Sequence, residues 1–300
     1  MKSSSTIIND LKKVKLYNKS SIKILQNYTR NGKVNVLKDE KHEFLFLEKT
    51  LTAQNNFYKN RYHKVFPKKK IWKQNFYGKK IKIAKLNENF KRYNFLKKNI
   101  INKKVLDFGC GFGEFANEIS RYTKKTYAYE KSEICKKYIR NNLKKINVLN
   151  SLSEFDNFFD SIVLIHSFHY LTEPLEYLYL LKKKLKPRGK LIIEVPSSND
   201  ILLSKFNLKE FKDFTFCIEN LIWHNDITLK KFLKKVNFKK IRIYPFQRHN
   251  LNNHLGWLMY GKPGGHEYLK TFCSKKQLDD YENFLKKKNF SDTLIAIAER

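Results

Sequence analysis

An aspartate leads three glycines at alternate positions in Asp107-Phe-Gly109-Cys-Gly111-Phe-Gly113, and a glutamate follows 23 residues later at Glu130. Only ten glycines occur in 300 residues, so three in a five-residue window need a reason. Glycines this close let the backbone turn through positive φ and approach a ligand with no Cβ in the way. A helix that starts after such a turn points its first N–H groups at whatever sits there. The order of residues separates two chemistries. A dinucleotide turn spaces its glycines G-x-G-x-x-G and holds a pyrophosphate over the helix. Here an anion precedes the first glycine, which repels phosphate and suits an ammonium group. A carboxylate at the offset of Glu130 can accept both hydroxyls of a ribose. The two acids therefore suit a ligand that carries an ammonium group and a ribose.

Those side chains need a strand, a turn and a helix to hold them. The apolar run Val105–Phe108 reads as a buried strand, and Phe115, Ile119 and Tyr122 at i, i+4, i+7 spacing predict a helix after the glycines. Thr126–Glu130 predicts a second strand, Ser132–Lys144 a helix and Ile146–Leu149 a third strand. Phe159–His166 predicts a fourth strand and Leu175–Leu185 a helix. Lys186–Pro196 carries a turn and a fifth strand, Ile241–Tyr244 is the sixth and Asp292–Glu299 the seventh. Before all of these, Ser21–Tyr28 and Lys33–Leu37 flank Asn31-Gly32, which predicts a two-residue hairpin turn with both positions at positive φ. Glu43–Leu47 predicts a third N-terminal strand. Helices are expected from Thr52 through His63 and from Asn87 to Lys98.

The Asp107-to-Gly113 pattern resembles the first motif of class I S-adenosylmethionine (SAM)-dependent methyltransferases. Phe159-Asp160-Ser-Ile-Val-Leu-Ile-His166 is similar to the fourth motif, and Lys186-Pro-Arg-Gly-Lys-Leu-Ile-Ile-Glu-Val-Pro196 to a turn and fifth strand in which Arg188 replaces a glycine. The resemblance implies an α/β fold with a Rossmann-like seven-stranded sheet, six strands parallel and the seventh antiparallel beside the sixth. A small N-terminal β/α cap and an insertion before the last strand would be added to it. In domain terms, residues 1–95 form a cap or lid region and 96–300 the methyltransferase domain, with 247–290 a substrate-side insertion. SAM is the implied cofactor, contacted by Asp107, Gly109, Cys110, Gly111, Gly113, Glu130, Ser151, Leu152 and His166. Many relatives fold the segment before the first motif over SAM, which makes Tyr58, Tyr62 and His63 lid candidates, with Tyr62 a substrate contact.

The acceptor side is read from what surrounds the expected strand ends. His169 follows the fourth strand near the topological switch point, where substrate is met. Many relatives carry Glu-His where this chain has His169-Tyr170. Glu194 stands near the active-site end of the fifth strand, and Glu219 and His224 fall in a segment that relatives turn toward substrate. About 45 residues separate the last two strands, longer than a loop without a task usually runs. That insertion holds Arg248, His254, Lys262 and His266 around Trp257, a set suited to an anionic, hydroxyl-rich ligand such as a nucleotide-linked sugar. It resembles an insert in methyltransferases of bacterial surface-polysaccharide clusters, which implies a sugar acceptor. Candidate bases for a hydroxyl are then His169, Glu219, His254 and His266. Tyr62, Glu194, His224, Arg248 and Trp257 are candidate substrate contacts. His249 and His254, with His266 later, match no metal-ligand spacing, so no metal is expected. Other readings stay open here: C- or N-methylation, an RNA or protein acceptor, and a SAM-binding protein without catalysis.

The formal net charge is +34, but lysines supply 53 of the 62 basic residues and arginines nine. Readers of bases and phosphates lean on arginine forks, and these lysines are spread along the whole chain. A small molecule is therefore favoured over nucleic acid as acceptor. The four cysteines form no C-x-x-C pair, which argues against a disulfide scaffold or cysteine zinc site. No segment approaches the ~18 uncharged apolar residues of a bilayer span. The first ten residues lack a secretory apolar region. The expectation is a cytoplasmic protein; its oligomeric state is not written in these patterns.

Overall fold

A computed structural model describes residues 6–49 and 79–300. Its strands are β1 (Ile22–Gln26), β2 (Val36–Asp39), β3 (Phe44–Leu47), β4 (Lys104–Phe108), β5 (Lys125–Tyr129), β6 (Ile146–Leu149), β7 (Phe159–Ile165), β8 (Leu185–Pro196), β9 (Ile222–Trp223), β10 (Lys239–Phe246) and β11 (Thr293–Glu299). Seven of them hydrogen-bond in the order β10-β11-β8-β7-β4-β5-β6. This is a Rossmann-like sheet, mostly parallel with one antiparallel strand. β11 lies between β10 and β8, as a seventh strand beside the sixth should. The chain divides into two compact units, one of Leu51–Ser167, Tyr179–Ile192 and Ala298–Arg300, the other of Met1–Thr50, Phe168–Leu178 and Ile193–Ile297.

In the unit that carries the glycine turn, β4 pairs in parallel with β5 and with β7. Val105, Leu106, Asp107 and Phe108 are all buried. Burial of successive residues on both faces is what a central parallel strand requires, and it explains the near-continuous apolar run. At the start of the strands, Asp160 accepts the Lys104 N–H at 2.8 Å and the Lys186 ammonium at 2.6 Å. Tyr127, Phe155, Phe158 and Phe159 pack edge-on or stacked, with ring centroids 5.1–6.1 Å apart. Such pairs contribute about 0.5–1.5 kcal/mol each beyond their burial. The Pro187-Arg188-Gly189 segment, read from sequence as a turn ahead of the strand, lies inside β8 instead. Arg188 takes φ +62° there, and the Gly189 carbonyl accepts the Arg300 N–H at 3.0 Å.

In the other unit β1, β2, β3 and β9 form an antiparallel sheet. The expected hairpin exists, with Ile22 opposite Asp39, but its turn is set differently. Thr29 bridges to Gly32, so Arg30 and Asn31 are the central residues, and neither Asn31 nor Gly32 takes a positive φ. The reason is tertiary: the Asn31 side chain accepts from the Ile218 N–H at 3.0 Å and donates to Glu219 at 2.8 Å. The helix Asp226–Lys235 opens with an Asn225–Thr228 capping box. It closes on Asn237 at φ +58°, with Asn237 N–H bonded to the Lys234 carbonyl and Phe238 N–H to that of Leu233. That is a Schellman cap with asparagine in the glycine place. Between β10 and β11 run the helices Leu251–Tyr260, Gly265–Tyr268 and Lys275–Lys287. The helix expected at 52–63 and the lid candidates Tyr58, Tyr62 and His63 lie outside the described residues.

Candidate active site

The glycine turn leaves β4 with Gly109 at φ +72°, Gly111 at +55° and Gly113 at +77°. At Gly109 the turn also meets a wall, because a Cβ there would stand 2.6 Å from Ser167 Cβ. Ser167 Oγ donates to the Phe108 carbonyl at 2.7 Å, and Gly109 N–H donates to the Tyr129 carbonyl at 2.8 Å. These bonds fix the turn between the ends of β5 and β7. Glu130 is held in the same way. One of its carboxylate oxygens accepts the Gly111 N–H at 2.9 Å and the other the Ser132 N–H at 3.0 Å.

A pocket of about 220 Å³ opens beside the turn, lined by Asp107, Gly109, Cys110, Ile165 and His166 together with Glu88, Asn89, Arg92, Glu114 and Phe115. Asp107 is 1% exposed, and among the described residues nothing hydrogen-bonds its Oδ1. Burial, then the neighbouring Glu130 charge, pushes its carboxyl up to about 7, while the Ala116 N–H and Arg92 oppose the shift. Burial likewise raises the Cys110 thiol, which stays protonated and uncharged. His166 sits at φ +50° just past β7, a conformation that costs a non-glycine residue on the order of 1–3 kcal/mol. On the facing helix Lys79–Ile100, the Arg92 guanidinium donates to Glu88 and, at 2.9 Å, to Asn89.

The lining therefore carries Glu88, Asp107 and Glu114 against Arg92 and a histidine. An acid-rich pocket with an unsatisfied buried carboxylate oxygen wants a cation that can donate hydrogen bonds. The α-ammonium of SAM is such a group, and Asp107 and Gly109 both line the pocket that would take it. The residues present fit that cofactor. Asp107, Gly109, Cys110 and His166 line one pocket, and Gly111 and Glu130 are joined beside it. Gly113 lies against Ile139 and Leu143, to which a Cβ would come within 3.1 Å. Ser151 is exposed and Leu152 buried; neither is a lining residue. The sequence signal for Glu88 and Arg92 is an ordinary i,i+4 ion pair on a helix. Nothing in that spacing marks it as part of a site.

The described candidates for the acceptor side fall in the unit of Phe168–Leu178 and Ile193–Ile297, and Tyr62 lies outside the described residues. His169 is buried in a short turn, and its carbonyl accepts the Leu221 N–H at 3.0 Å. Glu219 is tied to Asn31, and Glu194 is wholly buried in β8. His224 stacks on Phe168 at 5.5 Å, with Nδ1 3.0 Å from Thr228 Oγ1; burial lowers its pKa to about 3. His254 lies 2.9 Å from the Tyr281 hydroxyl, and burial lowers its pKa to about 4. Trp257 packs among Phe211 and Phe214 at 5.1 Å and is buried, whereas Lys262 and His266 are exposed. Arg248 donates from Nε to Thr293 Oγ1 at 2.9 Å.

A family model described as a methyltransferase domain matches residues 77–243. The mitochondrial ubiquinone biosynthesis O-methyltransferase of Schizosaccharomyces pombe is 26% identical over 152 residues, 45% of this chain and 55% of that protein. A ubiquinone/menaquinone biosynthesis C-methyltransferase of Wigglesworthia glossinidia brevipalpis is 29% identical over 161 residues, 49% of this chain and 62% of that one. The chain thus spans less than two thirds of the length of these curated relatives. A solved SAM-dependent methyltransferase from Archaeoglobus fulgidus shares 19% identity with a TM-score of 0.49, over 72% of this chain and 94% of its own. The family match, covering more than half of the chain, makes this protein a member of the class I SAM-dependent methyltransferase family.

Proposed function

We propose that the protein transfers the methyl group of SAM to a small hydroxyl-bearing acceptor, a sugar or nucleotide-linked sugar, with oxygen as the methylated atom. The observation that carries the cofactor half is the buried, unsatisfied Oδ1 of Asp107 in an acid-rich pocket beside the glycine turn. Asp107 takes the ammonium end, and Glu130, already oriented by two backbone N–H groups, takes the ribose hydroxyls. When bound, SAM supplies an electrophilic methyl group. The chain contributes alignment and the exclusion of water.

An acceptor hydroxyl must lose its proton, a step in which a positioned base contributes on the order of 10²–10⁴. A histidine with a pKa of about 4 holds a proton poorly, which counts against His254 as the base. His169 follows the pocket-lining His166 by three residues, and we assign the role to it. Residues 1–95 act as cap, 96–300 as the methyltransferase domain and 247–290 as a substrate-side insertion. The sugar reading leans on the sequence resemblance alone. The test pairs two measurements. Calorimetry should show SAM binding that an Asp107→Ala, Glu130→Ala variant loses; unchanged affinity would overturn the cofactor site. Isotopic SAM incubated with a metabolite extract should label a small polar hydroxyl compound. Label confined to RNA or protein would overturn the acceptor class.

A further inference from the structure

Five large hydrophobic side chains stand exposed within fifteen residues: Leu258 at 44%, Met259 at 54%, Tyr260 at 53%, Tyr268 at 46% and Phe272 at 65%. The helix Leu251–Tyr260 spends its inner face on Trp257, which packs with Ile201, Leu202 and Leu285. Gly261 at φ +62° ends it, and the chain folds back at backbone range. A Cβ on Gly265 would lie 2.0 Å from the Asn252 carbonyl oxygen, and one on Gly256 would lie 2.8 Å from Gly265 Cα. Tyr268 meets Tyr260 edge-on at 5.6 Å and donates its hydroxyl to the Lys262 carbonyl at 3.3 Å. That seat has room for hydrogen only, so the apolar side chains remain outside it.

We infer that the face built by residues 258–272 docks this protein on an anionic membrane surface. Charge selects the occupant. Lys262, Lys270 and Lys276 are exposed on or just beyond this stretch, Lys275 is paired with Asp279 at 2.5 Å, and Glu267 is the one acid between residues 258 and 276. A second copy of a chain with net charge +34 brings the same collar and is repelled. Nucleic acid answers the lysines but offers no layer for the aliphatic ends of Leu258 and Met259. An anionic bilayer answers both, because lysine heads stay among lipid phosphates while aromatic and aliphatic groups enter the headgroup boundary. Among the described residues no helix is long and apolar enough to cross a membrane, so the attachment is peripheral. The inference goes beyond methyl transfer and does not depend on it.

The full chain should co-sediment with phosphatidylcholine vesicles that contain phosphatidylglycerol and much less with phosphatidylcholine alone. A Met259→Ser, Phe272→Ser variant should bind the anionic vesicles on the order of tenfold more weakly or worse, with SAM affinity by calorimetry unchanged as the check on folding. Failure of the parent to bind anionic vesicles would overturn the inference. So would equal binding by the variant, which would leave lysine attraction alone. Two other results would name a different occupant: a dimer in light scattering that the variant makes monomeric, or poly(U) binding that the variant abolishes.

Discussion

Two buried aspartates, one in each unit, share a side chain and a degree of burial and differ in everything else. Asp292, 5% exposed, is filled from within. It accepts the Gln247 amide at 3.1 Å, the Arg248 N–H at 3.1 Å and the His249 N–H at 2.9 Å. Burial pushes its carboxyl up, but the Arg248 guanidinium, His249 and these N–H groups outweigh that and hold it below the usual range. Asp107, 1% exposed, has an oxygen with no partner among the described residues and is pushed up to about 7. Burial alone therefore does not sort structural from functional acids. What sorts them is whether the fold itself completes the hydrogen bonds. Asp292 ties the end of β10 to the start of β11, whereas Asp107 is left short where a ligand can finish the set.

The largest effect should come from Asp292→Ala, which strands the Arg248 charge and two backbone donors. A loss of roughly 3–5 kcal/mol is expected for breaking such a buried set, read from the urea midpoint at constant m. If this variant unfolds no earlier than Asp107→Ala, the contrast between the two acids is broken. Asp107→Asn should move binding instead. SAM affinity should fall about ten- to a hundredfold, or about 1.4–2.8 kcal/mol, while the melting temperature holds or rises.

The pH response sharpens the same point. The folded pKa of Asp107 is raised from the ordinary 3.8 to about 7, so its contribution to stability is full below about pH 4 and is lost as pH climbs through about 7. Affinity for the cationic ligand should rise over the upper part of that window. Calorimetry from pH 6 to 8 should show the rise in the parent and a flatter line in Asp107→Asn. Asp292 has the opposite sign, and the stability it contributes is lost as pH falls through its lowered pKa. Gly109→Ala should destabilise by about 1–2 kcal/mol from φ strain, with the contact to Ser167 added, and should weaken SAM binding. The smallest effect is a gain. Asn289 holds φ +56° in a second Schellman cap, and Asn289→Gly should stabilise by at most about 0.5–1 kcal/mol in thermal unfolding.

The central sheet was legible because its strands are short apolar runs set off by glycine and proline, as at Val105–Phe108 before Gly109. The cofactor pocket was legible in part, through Asp107, the glycines and Glu130, whose spacing is local to one strand-turn-helix-strand unit. Glu88 and Arg92 were not, because which face of a helix meets a pocket is decided by packing. The Asn31 turn was misplaced for a related reason: its side chain serves Ile218 and Glu219, nearly 190 residues away. Periodicity cannot tell a core histidine from a ligand either. His224 and His254 are polar letters in sequence, and in the fold burial lowers the pKa of each.

The pairing of β3 with β9 bears on how the chain is made. Leu45 lies opposite Trp223 and Phe46 opposite Ile222, so the last strand of the N-terminal sheet is translated about 180 residues after its partner. At ribosomal speeds of about 5–20 residues per second, the edge of β3 waits roughly 10–35 s for its neighbour. All four residues of that strand, Phe44 to Leu47, are buried when the sheet is complete. During synthesis they form an unpaired, sticky margin, an invitation to mispairing between nascent chains. Yield on expression should therefore depend on elongation rate and holdase supply more than on the stability of the finished fold.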